Sequence, residues 1–199
     1  CASYDGTPLG TFELHGTDVA ELLNRIYTNR FDDLKMGRGR FGLMLREDGR
    51  LMDDGVTFRI NNNQYLMSCG TGAAATVYAH IDRLLQTEWS DLKVYLVNVS
   101  AGWATICICG PLARTVLQQV DTDLAFDEDF KFLDICEGQL AGVPVRVARV
   151  SYTGELSFEI NVARRHALNI WTTLLTAGRD YGITPIGSET SGVLRIEKG

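Results

Sequence analysis

No stretch of this 199-residue chain approaches the 18 or more consecutive apolar residues of a membrane span. Its start, "CASYDGTPLG", has neither the charged segment nor the apolar run of a signal peptide. A membrane partner is therefore not expected, and a cytoplasmic location is. Basic surplus is missing too: the net charge is −6 and the Lys and Arg residues are scattered, which excludes a field built for nucleic acid. The five cysteines, Cys1, Cys69, Cys107, Cys109 and Cys136, are odd in number with no C-x-x-C spacing, and His15, His80 and His166 stand far apart. Neither a metal site nor a disulfide framework is expected. Cys107 and Cys109, two apart in "ATICICG", share one face of an apolar strand and read as small buried hydrophobes. What remains is ordinary globular composition, 45% hydrophobic and 22% charged, enough for one compact domain or two small halves. The chain starts without Met and ends at "LRIEKG" inside a running helical pattern, so it reads as a piece of something longer.

Periodicity interleaves strands and helices. "GTFELHG" alternates as a strand, and Thr17 is placed to cap a helix whose apolar residues Val19, Leu22, Leu23, Ile26 and Tyr27 fall at helical spacing. Three strands follow, "RFGLMLR", "GVTFRI" and "QYLMSC", joined by a two-residue Asp48-Gly49 turn and by "NNN", so this meander is antiparallel. A helix from about residue 72 to 87 and the strand "LKVYLVNV" close the first half. The second half repeats the order: the strand "WATICICG", a helix "PLARTVLQQV" opened by Pro111, a hairpin of "VPVRVARVSY" and "LSFEINV" around Thr153-Gly154, and the helix "RHALNIWTTLLTAG" that Gly178 can cap. The expected class is α+β, antiparallel sheets flanked by helices. One domain over 1–199 is built of two pseudo-repeated, ferredoxin-like halves, about 1–99 and 100–199.

Two glycine patterns suggest a nucleotide loop. "GRGRFG" matches G-x-G-x-x-G by letter but precedes a strand instead of joining a strand to a helix. "CGTGAAA" follows a strand and opens a helix, where N–H groups can hold a pyrophosphate. Against a dinucleotide, "LKVYLVNV" ends without an acidic residue for a ribose, and the preceding strands alternate as antiparallel ones do. Close packing of helix on sheet is the favoured reading of these glycines.

Two acidic features remain. In "REDGRLMDDGVTF", Asp53 and Asp54 stand where a strand should already be running, and in "VSYTGELSFEINV", Glu159 interrupts an apolar strand. Asp53 and Asp54 point to opposite faces, so at most one looks into a given pocket; Asp53 is read as the solvated or turn-closing one. Glu155 follows a turn glycine and reads as a turn or surface residue. Together with "QYLMS" and "LRIEKG", these segments resemble the aminomethyltransferase family of the glycine cleavage T-protein, over nearly all 199 residues. The wording is nearest the sarcosine oxidase alpha-subunit branch and its C-terminal folate-binding domain.

The resemblance implies the family's folate-binding fold without its C-terminal barrel, which lies outside these residues. It implies tetrahydrofolate as cofactor, with a one-carbon unit moved onto it from an amine-derived imine or from formaldehyde. By that match Asp54 is the catalytic aspartate, Tyr65 a tyrosine near the folate, and Glu159 the glutamate that grips the pterin. Expected partners are folate, a small amine and the other parts of a sarcosine oxidase-type complex, where flavin and NAD would reside. Two positions depart from the T-protein pattern: Ser191 stands where it has an arginine, and "SCGTG" where an asparagine is common. Both favour the sarcosine oxidase branch. A T-protein aminomethyltransferase, or a non-catalytic folate- or dinucleotide-binding module, is the alternative.

Overall fold

The computed structural model describes residues 1–199 as two compact units. One is Pro8–Ser100; the other combines Cys1–Thr7 with Ala101–Gly199, so the first strand, β1 (Ala2–Asp5), belongs with the second half. None of the helices is long and apolar enough to cross a membrane.

The Pro8–Ser100 unit runs β2 (Gly10–His15), α1 (Val19–Ile26), β3 (Arg38–Leu45), β4 (Leu51–Asn61), β5 (Gln64–Cys69), α2 (Ala74–Gln86) and β6 (Tyr95–Asn98). Its five strands lie in the order β3-β4-β5-β2-β6, every neighbour antiparallel. One face is covered by the helices: Phe12, Leu14, Met44, Tyr65 and Met67 from the strands bury against Val19, Leu22 and Leu23 of α1 and Val77 and Ile81 of α2. Burying side chains of this size contributes about 1.5–3 kcal/mol each. Thr17 does not cap α1. Asp18 occupies the cap position without a side-chain cap bond; its Oδ2 accepts the Lys93 amide and its Oδ1 the Thr17 hydroxyl, so a tertiary bond takes the carboxylate. The β3–β4 loop uses three residues, Glu47 to Gly49, where two were expected: Arg46 pairs with Arg50, and Gly49 supplies a left-handed backbone at φ +78°.

The second unit continues with β7 (Trp103–Cys109), α3 (Ala113–Leu117), β8 (Ile135–Leu140), β9 (Val143–Ala148), β10 (Ser157–Ala163), α4 (Ala167–Ala177), β11 (Thr184–Pro185) and α5 (Ser188–Lys198). Its sheet order is β8-β9-β10-β7-β1-β11. Apart from the inserted β1 and the added α5, this is the βαβββαβ plan of the other unit. Three differences from the sequence reading have local causes. The helix after Pro111 covers only Ala113–Leu117. Strand β8, "ICEGQL", has weak intrinsic strand preference and exists through its ladder to β9, turned by Ala141 and Gly142 at φ +51° and +71°. Strands β9 and β10 are joined by an eight-residue loop rather than a tight hairpin, because β9 ends at Ala148 and β10 begins at Ser157. As expected, Gly178 is the C-cap of α4. Phe158, Ile160 and Val162 of β10 face α3 and α4, and Phe158 stacks on Phe130 at 6.0 Å.

Candidate functional site

Strand β4 has two chemically opposite faces. Asp54 pairs with Leu43 in the β3–β4 ladder and stands exposed on the face away from the helices. Beside it Phe41 and Leu43 are 45% and 47% exposed, so a carboxylate sits among apolar side chains that water has not been kept from. Further along the same face Val56 and Phe58 are buried. Such a surface can receive a flat, partly polar molecule, with the carboxylate free to accept or give a proton.

Asp53 is not solvated, contrary to the sequence reading. It is 5% exposed on the helix-covered face, and its Oδ1 accepts the Gly70 amide at 2.9 Å. Strand alternation forces this: once Asp54 faces outward, its neighbour faces the core. Burial first, then the charge of Asp54, raises the Asp53 carboxyl above its usual range, while the Gly70 bond pulls the other way. The same bond bears on the glycine loop. "CGTG" opens α2 as foreseen, but the protein's own carboxylate occupies the Gly70 N–H, and β5 before it lies in an antiparallel sheet. The mechanics of a dinucleotide loop are absent.

Tyr65 lies in β5 on the same helix-covered face as Asp53 and is 1% exposed, with the Arg59 guanidinium 5.6 Å from its ring centre. It therefore does not share a face with Asp54.

Glu159 belongs to the second unit. Its strand neighbours Phe158 and Ile160 enter the core, so Glu159 points to the face away from α3 and α4, alongside Tyr4 and Cys107. The residue is partly exposed, yet its carboxyl sits deep enough that burial lifts its pKa to about 7. Two positions earlier on that face, Ser157 is 2% exposed with an unpartnered hydroxyl. Ser157 also lines a cavity of about 410 Å³ with Phe132, Arg149, Ser151, Gly154 and Glu155. The Ser151 hydroxyl is likewise buried without a partner. Buried polar atoms without partners are uncommon, and two near one carboxyl-bearing strand end indicate groups that await a ligand or water. Glu155, read as a surface residue, forms an ion pair with Lys198 at 2.7 Å.

The GCVT N-terminal domain model matches residues 1–199. The chain belongs to this family. This GCVT N-terminal domain is 42% identical over 197 residues to a sarcosine oxidase alpha subunit from Corynebacterium sp. strain U-96, and 44% identical over 198 residues to one from Rhizobium meliloti; each match covers 98% of the chain and 20% of the relative. An aminomethyltransferase from Chloroherpeton thalassium is 33% identical over 196 residues, covering 98% of the chain and 52% of the relative. The domain thus spans about a fifth of those alpha subunits and about half of that aminomethyltransferase. In fold it resembles the glycine cleavage system aminomethyltransferase T of Bartonella henselae, with a TM-score of 0.84 at 21% identity over 98% of this chain and 50% of that one. It also resembles a chain of the heterotetrameric sarcosine oxidase of Corynebacterium sp. U-96, with a TM-score of 0.68 at 15% identity over 92% of this chain and 86% of that one.

Ser191, where the T-protein pattern has an arginine, is 4% exposed, and its hydroxyl donates to the Ser188 carbonyl of its own helix at 2.7 Å. No cation stands at that position. Sequence reasoning missed the hydroxyls of Ser151 and Ser157, because nothing in a serine's neighbours along the chain announces that its hydroxyl will lack a partner.

Proposed function

We propose that this domain binds tetrahydrofolate and moves a one-carbon unit onto it from an amine-derived imine or from formaldehyde, as part of a sarcosine oxidase-type enzyme. The observation that carries the reading is the start of β10, where the half-buried carboxyl of Glu159 stands two positions from the buried, unpartnered hydroxyl of Ser157 on the same sheet face. A buried hydroxyl left without a partner is costly, and a polar ligand at this strand end removes the cost. A pterin edge, with a ring N–H beside an exocyclic amino group, presents a pair of donors to one carboxylate. The unpartnered hydroxyls of Ser151 and Ser157 support a polar ligand at the same strand end.

When bound, tetrahydrofolate supplies the amine nitrogen that accepts the one-carbon unit. Asp54 takes the proton that this nitrogen loses as the new carbon–nitrogen bond forms, which suits a carboxylate open to solvent among apolar side chains. Exposed Phe41 and Leu43 offer the apolar contact that a ring system needs. Tyr65, buried on the helix-covered face, backs this surface. The amine would be oxidised by flavin chemistry elsewhere in the complex, with NAD also held there.

Calorimetric titration of the full-length protein with tetrahydrofolate and, separately, with NAD tests the reading. Saturable folate binding that the Glu159→Gln change weakens is expected. Binding of NAD without binding of folate would overturn it.

A further inference from the structure

Asp53 is the buried acid that the proposed chemistry leaves unused, and its surroundings give it a task. The β4–β5 ladder pairs Thr57 with Met67 but does not extend toward Leu51. Beyond Thr57, the β5 side of β4 is held by two side-chain bonds. The Ser68 hydroxyl donates to the Val56 carbonyl at 3.1 Å, and the Asp53 carboxylate accepts the Gly70 amide at 2.9 Å. The chains come very close here, since a Cβ on Gly55 would lie 2.0 Å from the Ser68 carbonyl oxygen. Asp54 sits between these two ties, with Leu43 of β3 on its other side.

We propose that Asp53 is a positioning residue: its bond to Gly70 replaces the missing ladder and fixes the segment that carries Asp54 on the opposite face. The identity of position 53 follows from the same geometry. The second oxygen of Asp53 is buried without a partner. An asparagine keeps the oxygen that accepts from Gly70, so it preserves the tie. Alanine removes it.

This inference rests on the folate reading only where it invokes transfer, so the experiment has one arm that needs no folate. In the full-length protein, hydrogen exchange of the amides at 53–56 and 68–70 is compared among wild type, Asp53→Asn and Asp53→Ala, with Asp53→Thr in place of Ala where the latter does not fold. Expected is exchange at least tenfold faster in the Ala or Thr variant and within threefold of wild type in Asn. The second arm measures one-carbon transfer. Turnover should fall at least tenfold in Asp53→Ala, with the folate KM moving less, and recover in Asp53→Asn. The loss should vanish in the Asp54→Asn background, because Asp53 acts through Asp54. Unchanged exchange in Asp53→Ala, equal losses from Ala and Asn, or losses that add to that of Asp54→Asn would each overturn the proposal. Should Asp54→Asn leave transfer untouched, the folate chemistry falls while the exchange arm still decides the tie.

Discussion

The two units share one strand–helix plan, and each has an acidic residue breaking an apolar strand, yet the two acids stand in different surroundings. In β4, Asp54 is in water beside exposed Phe41 and Leu43, while the adjacent Asp53 is buried and bonded to Gly70. In β10, Glu159 is partly buried on its sheet face, and burial lifts its pKa to about 7. The difference teaches that the same local pattern can specify different chemistry. A solvated carboxylate can exchange a proton quickly. A desolvated one is suited to gripping a ligand that brings donors.

The largest effect that would sharpen this contrast belongs to Asp54. Asp54→Asn should slow methylenetetrahydrofolate formation in the full assembly by roughly 100- to 10,000-fold, the range for a lost general acid or base. A rate within threefold of wild type would move the chemistry elsewhere. Next comes the pH dependence of stability at Glu159. Its folded pKa lies above its ordinary 4.5, so the native state holds this proton more tightly than the unfolded chain. The contribution is full below pH 4.5 and is lost as pH rises to about 7. Glu159→Gln does not ionise, so its stability relative to wild type should rise across that window by about 1–3 kcal/mol, read by denaturant unfolding at pH 5 and 8. A flat difference would mean the carboxyl is not desolvated.

A related outcome concerns binding. The ligand's donors favour the ionised carboxylate, so folate binding near pH 6 should release protons and affinity should climb as pH rises toward 7, then level off. Calorimetry in buffers of different ionisation enthalpy reads this directly, and proton uptake instead would reverse the assignment. The smallest effect is at Tyr65. Tyr65→Phe should leave folate affinity within threefold of wild type, since the residue fills core on the face opposite Asp54. A tenfold loss would place it against the ligand.

Much of the fold was legible from periodicity. Alternation gave β2 to β5, and helical spacing gave α1, α2 and α4, because each buries one face against a core within its own unit. Strands β1 and β8 were not legible. "ASYD" and "ICEGQL" are strands through their partners in the sheet, and nothing in their own composition demands it. At the candidate site, alternation correctly separated Asp53 from Asp54 but could not say which face the helices cover. Here the tertiary arrangement reversed the expectation for Asp53. It also set Tyr65 in the core, since a tyrosine in an apolar strand looks the same to the sequence whether its ring meets a ligand or a helix.

The division of labour between the two acids is tested most directly by titrating tetrahydrofolate into Asp54→Asn and Glu159→Gln side by side in the full-length protein at pH 8. Glu159→Gln replaces an acceptor with a donor opposite the ligand's own donors, so its affinity should fall by about 1.5–3 kcal/mol. Asp54→Asn should bind within threefold of wild type while remaining defective in transfer. Equal losses of affinity in the two variants, or a loss confined to Asp54→Asn, would contradict the account.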